Sequence, residues 1–430
     1  MAWFRRLPQP LPLALLAALL EAVFLGLRRL HPLDENVVGV MAAGLAASVL
    51  YLVAACLVFS WRQSTPAALA VVLLAVVVFR ATLFPLPPTL SNDLYRYQWE
   101  GESQRAGQNP YLLTPATAGR VGLPPAEFER FSGKQYRTAY APLTELLFWL
   151  AARLDGRAGF KLLSVVFDLV TLLVVVGLLR ARGEPPVRAL LYGWCPLVVL
   201  EFSGSGHNDS LALFALLLAN LLIIRQQRAV SIVALAAATM SKWFAVVAAP
   251  VFLRSRQRRD WWGGLLFAAT VALACWPYRA AGWDLFSGFA TYAREWRNNE
   301  SLYALLVAAT RDQSVATGVA LGVVAGLALH CAWERTEPLR ACYLLLAAVL
   351  LLSPSVFPWY VTWLVPFLCF FPNPAFLLWT ATVLLSYHVL IGYTSAGAWR
   401  YTPWLGWLEY LPVYALLLGW GWRVRRRPVG

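Results

Sequence analysis

Asp93, Arg96, Tyr97, Glu100 and Gln104 stand at positions i, i+3, i+4, i+7 and i+11 in the stretch SNDLYRYQWEGESQRAGQNPYLLTP (91–115). That spacing puts them on one face of a helix. Ser91 and Asn92 are helix-starting residues, and Gly107 and Pro110 stop it. The spacing therefore predicts a short helix lying at a membrane interface, its polar face turned toward a cavity and its apolar residues resting on lipid or on neighbouring helices. Asp93 falls in the first turn, where the helix dipole favours the ionised carboxylate. An ionised carboxylate on a positioned helix can act as a general base. Arg96, one turn on, can bind a phosphate or hold that carboxylate. The plainer reading is a solvated helix cap with an Asp93–Arg96 pair.

Four further groups have chemistry to offer. EFSGSGHND (201–209) brings His207, Asn208 and Asp209 together next to glycines that let a ligand approach the backbone. Asn208 and Asp209 suit sugar hydroxyls, His207 and Asp209 suit a metal, and Asn208 and Asp209 equally suit helix capping. Lys242 interrupts an apolar segment, where a lysine costs about 2.5–3.5 kcal/mol at mid-bilayer. It is a candidate for binding a phosphate, or it snorkels to the interface. Arg279 and Arg297, in the loop 278–300, are phosphate candidates or surface charges. Trp359 and Tyr360 can stack on sugar rings or anchor at the interface, where such residues collect.

The elements that must position these groups are membrane helices. The chain has 430 residues, 60% hydrophobic and 13% charged, whereas a soluble domain is about a quarter charged. Apolar runs long enough to span recur at 11–27, 36–60, 66–84, 160–179, 187–202, 209–224, 229–253, 261–277, 314–332, 341–354, 357–371, 375–391 and 404–422. The expectation is a single all-α polytopic membrane domain over 1–430, with about 12–14 spans and a first large external loop over 85–159. Segment 229–253 is expected to break at Ser241-Lys242-Trp243, and 142–154 is too short to cross. No strand-like alternation supports a barrel. The six cysteines lie in or beside apolar runs without C-x-x-C spacing, which argues against a disulfide or zinc framework.

The formal charge of +14 reflects basic turns on one side of the membrane, not a nucleic-acid face. With Arg5 and Arg6 inside, the turns 180–188, 225–228, 254–259, 334–340 and 423–427 fall on the cytoplasmic side. Both termini are then cytoplasmic. The polar, aromatic-rich segments 91–115, 201–209, 241–243, 278–300, 353–360 and 392–404 fall outside, which points to an extracytoplasmic site at the membrane surface.

The motif D-x-Y-R-Y-x-W-E-G-x-x-Q-x-x-G-x-N-P-Y, starting at Asp93, resembles the first external loop of polyprenyl-phosphate-mannose-dependent mannosyltransferases. These belong to the GT-C superfamily, near glycosyltransferase family 87. The resemblance continues in order through YAPLTELLF (140–148), WCPLVVLEFSGSGHNDSLAL (194–213), SKW (241–243) and SPSVFPWYVTWLVPFL (353–368), and covers roughly residues 90–370. It implies a GT-C-like helix bundle with external interfacial helices in a bacterial inner membrane, and a polyprenyl-phosphate sugar donor. It also implies a lipid-linked or cell-surface glycan acceptor, inversion at the anomeric carbon, and Asp93 as base. Donor phosphate would meet Arg96, Lys242, Arg279 and Arg297. Substrate would meet Tyr97, Glu100, Gln104, Asn109, Tyr140, His207, Asn208, Asp209, Trp359 and Tyr360. No cofactor is expected, a divalent metal being the weaker alternative; the partners are the donor, the acceptor and membrane lipid.

Two departures stand out. The family pattern has His before Pro-Trp-Tyr where this chain has Phe357, and Tyr-Pro-Pro where this chain has Tyr140-Ala141-Pro142. The first removes a partner for the base, a role His207 is placed to fill only if the fold brings it there. The rival readings are a flippase for a lipid-linked sugar and a glycan polymerase or ligase using a pyrophosphate-linked donor. Broken helices in matching halves would mark a transporter, and only one broken segment is evident.

Overall fold

A computed structural model describes residues 8–154, 156–254 and 261–425. Arg5, Arg6, most of the basic turn 254–259 and the end of 423–427 lie outside the described residues. Among those described there is no β-strand, and the fold is helical throughout. Among the described residues, seven helices are long and apolar enough to cross a membrane by length and composition: Pro10–Arg28, Val37–Phe59, Pro66–Leu83, Gly156–Ala181, Trp262–Glu295, Gln313–Trp333 and Pro374–Ser395. Five shorter apolar helices accompany them, among them Pro142–Ala151, Asp209–Ile224 and Arg228–Ser241.

Several expected spans are therefore shorter or more broken than their hydropathy suggested, and proline is one reason. In 187–202 the chain turns extended at Cys195, just before Pro196, and continues as a π-helical stretch over Val199–Ser205. In 357–371 two short turns, Pro358–Val361 and Val365–Leu368, each begin with a proline near the N-terminus of the turn. Proline lacks the N–H that a continuing helix needs. The helix Leu302–Thr310 lies in a stretch with no expected element. Tyr303 holds it, packed on Ala316 and Ala320 with its hydroxyl 2.8 Å from Thr317 Oγ1.

The chain forms two compact units. The first comprises Met1–Leu90, Val175–Gly204 and Val356–Gly430, and the second Ser91–Val174 and Ser205–Ser355. In the first unit Arg80 donates to the Gly193 carbonyl at 2.5 Å, and Tyr387 donates to the Glu201 carboxylate. Trp359 and Tyr360 belong to this unit, where Trp359 stacks on Phe357 with ring centroids 4.6 Å apart.

The second unit holds every other candidate residue. Its organising element is the helix Asp93–Arg105, which starts where Ser91 Oγ accepts the Asp93 N–H at 3.2 Å. The expected interfacial helix is in fact packed from two sides. Tyr95 and Trp99 pack on Leu123, Phe128 and Phe131. Leu94 and Tyr97 pack on Phe148, Ala151 and Phe160. Gly101 permits the second contact, since a Cβ there would stand 2.4 Å from the Phe148 carbonyl oxygen.

Candidate active site

Three turns of the second unit bring their side chains to Asp93. The first is the turn before Asp209–Ile224. Gly206 has φ +78°, and a Cβ on it would meet Lys161 Cγ at 2.9 Å and Leu94 Cδ1 at 3.0 Å, so this backbone position admits only glycine without rearrangement. Ser164 Oγ donates to the His207 carbonyl at 2.5 Å and fixes the turn on the helix Gly156–Ala181. The second is the break at Lys242. The helix Arg228–Ser241 stops, Lys242 is extended (φ −152°, ψ 128°), and a 3-10 helix follows over Trp243–Ala248. Thr144 Oγ1 donates to the Ser241 carbonyl at 2.6 Å, and Trp243 Nε1 to the Ala139 carbonyl at 3.1 Å. The third is Tyr140, whose carbonyl accepts the Tyr111 hydroxyl at 2.9 Å and whose ring meets Tyr97 edge-on at 5.2 Å.

At the centre, Asp93 Oδ2 lies 3.5 Å from the Tyr97 hydroxyl and 3.9 Å from His207 Nε2. Lys242 Nζ lies 2.7 Å from Asp209 Oδ1. The two carboxylates differ in one decisive respect. The Asp209 side chain is fully buried (0% exposed) against Lys242, while 32% of the Asp93 side chain is accessible. Asp93 is nonetheless deep enough that desolvation raises its pKa above the ordinary carboxylate value. His207 and Lys242 oppose that rise, Asp209 adds to it, and the Tyr97 hydroxyl opposes it weakly. Burial, and then the Asp93 charge, push the Tyr140 phenol well above its usual pKa, so it stays a hydrogen-bond donor.

Arg96 is not paired with Asp93. Its Nε meets Glu100 Oε1 at 2.6 Å, and its Nη atoms donate to the Gly133 and Tyr136 carbonyls at 3.2 and 2.9 Å. Glu100 and Gln104 continue this buried network. Gln104 Nε2 donates to Glu145 Oε2 at 2.8 Å, and Gln104 Oε1 accepts the Tyr278 hydroxyl at 2.7 Å. Glu145 also takes the Thr138 hydroxyl at 2.6 Å. Burial and the neighbouring Glu100 charge raise its pKa well above the carboxylate range. Asn109 closes its own turn, its Oδ1 accepting the Tyr111 N–H at 3.1 Å.

Asn208 precedes the first turn of Asp209–Ile224, but its side chain makes no capping bond. Arg279 lies over Trp276 at 4.7 Å, and Arg297 pairs with Glu300, its Nη2 at 2.7 Å from Oε2. Neither has a hydrogen bond or ion pair to the Asp93 cluster among the described residues. Nor, among those residues, do three His, Cys, Asp or Glu side chains gather as a metal site would require.

Sequence reasoning passed over Glu145, Tyr278 and Lys161. Glu145 was visible as the one carboxyl in the apolar run YAPLTELLF, and Lys161, only 4% exposed, as a charge at the start of a span. Tyr278 carried no signal, being one aromatic among many.

A family model described as alpha-(1->6)-mannopyranosyltransferase, N-terminal domain, matches residues 14–255, more than half of the chain and all of the Asp93 cluster. The chain is 24% identical over 393 residues to a probable alpha-(1->6)-mannopyranosyltransferase of Mycolicibacterium smegmatis, covering 76% of this chain and 69% of that protein. It is 29% identical over 174 residues to alpha-(1->6)-mannopyranosyltransferase A of Corynebacterium glutamicum, covering 38% of this chain and 34% of that protein.

Proposed function

The chain belongs to the alpha-(1->6)-mannopyranosyltransferase family, and from that premise we propose that it moves mannose from a polyprenyl phosphate to the 6-hydroxyl of a lipid-linked or cell-surface glycan. It is a membrane glycosyltransferase. In our reading the site opens on the extracytoplasmic side, with both termini in the cytoplasm.

Asp93 is the base. The acceptor oxygen attacks the anomeric carbon from the face opposite the phosphate, and its proton passes to the Asp93 carboxylate. The bond from that carbon to the phosphate oxygen breaks, and the electron pair leaves with the polyprenyl phosphate. Inversion to an α product requires a β-linked donor. The leaving group is already an anion, so it needs positive charge rather than an acid. Lys242, held by Asp209, supplies that charge. Arg96 is a positioning residue, because Glu100 and two carbonyls occupy its guanidinium. The pyrophosphate-donor alternative needs a second cationic cluster, and Arg279 and Arg297 are engaged locally. No step calls for a metal.

The observation that carries this reading is the difference between the two carboxylates: Asp209 is buried and neutralised, while Asp93 is accessible with a raised pKa. The test is sugar transfer by the purified protein, comparing radiolabelled polyprenyl-phosphate-mannose with a nucleotide-mannose. A host lipid extract serves as acceptor, for wild type and Asp93→Asn. Transfer from the lipid donor alone, reduced about 100-fold or more in the variant, is the expected result. Transfer that survives Asp93→Asn would remove Asp93 as base, and transfer from the nucleotide sugar would overturn the donor class.

A further inference from the structure

Beside the Asp93 cluster lies a crevice that the reaction above leaves unused. It has a volume of about 30 Å³ and sits between Tyr97, the helices Pro142–Ala151 and Gly156–Ala181, and the start of Asp209–Ile224. That is room for about two water-sized groups. Phe148, Ala151, Phe160 and Leu211 make its walls apolar. The hydroxyls that reach it are already bonded: Thr144 to the Ser241 carbonyl, Ser164 to the His207 carbonyl and Ser210 to the Ser164 carbonyl.

Asn208 is the exception. It lines the crevice, and both its Nδ2 and its Oδ1 are buried without a hydrogen-bond partner among the described residues. Buried amides are normally satisfied, because leaving one bare is costly. A bare donor beside a bare acceptor complements a hydroxyl, which both accepts and donates. The apolar walls suit a carbon. A crevice of this size, with one hydroxyl-reading amide and hydrocarbon around it, fits a CH2–OH group. Tyr97, at its edge, has its hydroxyl 3.5 Å from Asp93 Oδ2.

We propose that this crevice is a subsite for the hydroxymethyl arm of a hexopyranose, and that Asn208 reads the hydroxyl at its end. The inference rests on the mannosyl-transfer reading, which supplies two sugars bearing such an arm, the donor and the acceptor. A 6-deoxy sugar places a methyl group in the crevice and leaves the amide bare. A secondary ring hydroxyl has no arm narrow enough to enter. Of the two, the donor's arm is the expected occupant, because the acceptor's own 6-hydroxyl must reach Asp93 to attack.

The experiment uses the full chain in lipid nanodiscs. The donor arm compares kcat/KM for polyprenyl-phosphate-mannose and its 6-deoxymannose counterpart. The acceptor arm compares inhibition constants for octyl α-mannoside and octyl 6-deoxy-α-mannoside against a glycan acceptor. Wild type should discriminate at least about tenfold in one arm. Asn208→Leu should erase that preference, and Ala151→Val, which narrows the crevice while keeping the amide, should weaken binding of both sugars of that arm. The arm in which the preference collapses identifies the occupant. Absence of discrimination in both arms, or discrimination that survives both variants, overturns the subsite. A wild type that transfers nothing from polyprenyl phosphate overturns the proposed function instead. Calorimetric binding of the two octyl mannosides then decides the subsite alone: a preference lost in Asn208→Leu supports it, and equal binding by wild type rejects it.

Discussion

His207 Nε2 lies 3.9 Å from Asp93 Oδ2. The two residues are far apart in sequence and meet because Gly206 and Ser164 fix the turn that carries His207. This supplies a neighbour for the proposed base on the acidic side of its titration, the role left open by Phe357. Asp93 must be ionised to accept a proton. Its pKa is raised by burial, so the acidic limb of kcat/KM should lie above the ordinary carboxylate range, with activity falling as pH drops through it. The His207 charge lowers that pKa. His207→Gln should therefore move the limb to higher pH and reduce kcat/KM on the acidic side of the profile. A pH–rate profile that does not move would separate His207 from the base.

The Lys242–Asp209 pair allows a test of charge against packing. Lys242→Met leaves a fully buried Asp209 without its cation, which should cost about 3–5 kcal/mol and raise the donor KM. In Lys242→Met/Asp209→Asn the stability should largely return while the donor KM stays high, because only the structural role needs a pair. Thermal melts and donor kinetics on the same preparations check this. Recovery of both together would make Lys242 purely structural.

Glu145 should behave as a buried neutral acid. Its pKa is raised in the fold, so the folded state holds a proton that the unfolded chain releases between the two pKa values. Stability from this group is complete below the unfolded pKa and is lost as pH rises through the folded one. Glu145→Gln keeps the shape and removes the titration, and should flatten the pH dependence of Tm. Glu145→Ala strands the Thr138 hydroxyl, while the Gln104 amide keeps the Glu145 and Glu100 carbonyls, and should cost about 1–3 kcal/mol. An equal loss in both variants would show that the carboxyl is needed ionised.

Gly206→Ala should destabilise by about 1 kcal/mol or more, because φ is +78° and the new Cβ meets Lys161 and Leu94 at 3.0 Å or less. The same strain displaces His207, so kcat should fall by more than the loss of folded protein. Normalising activity to the folded fraction checks it, and a kcat that tracks folding alone would mean the turn relaxes without moving His207.

Transfer should survive exhaustive chelation. Asp209 is engaged by Lys242, and the leaving phosphate meets that lysine in the proposed reaction. Activity lost to a chelator and restored by one divalent ion would place a metal in the step.

Local properties of this protein were legible in the sequence. Apolar runs announced most of the helices. The helix Asp93–Arg105 followed from Ser91, the polar spacing and Gly107, and the break after Ser241 followed from a lysine in an apolar run. The order of motifs announced the glycosyltransferase class, because motifs record chemistry segment by segment. Ion-pair partners and burial are through-space quantities, and hydropathy and periodicity do not report them. Only the tertiary structure decided that Arg96 serves Glu100 rather than Asp93, and that His207 approaches Asp93. Only there did Glu145, read as one letter of a motif, become the centre of a buried network. The same holds for the two aspartates: each opens a helix and each looked available, but packing against Lys242 closed off Asp209 and left Asp93 accessible.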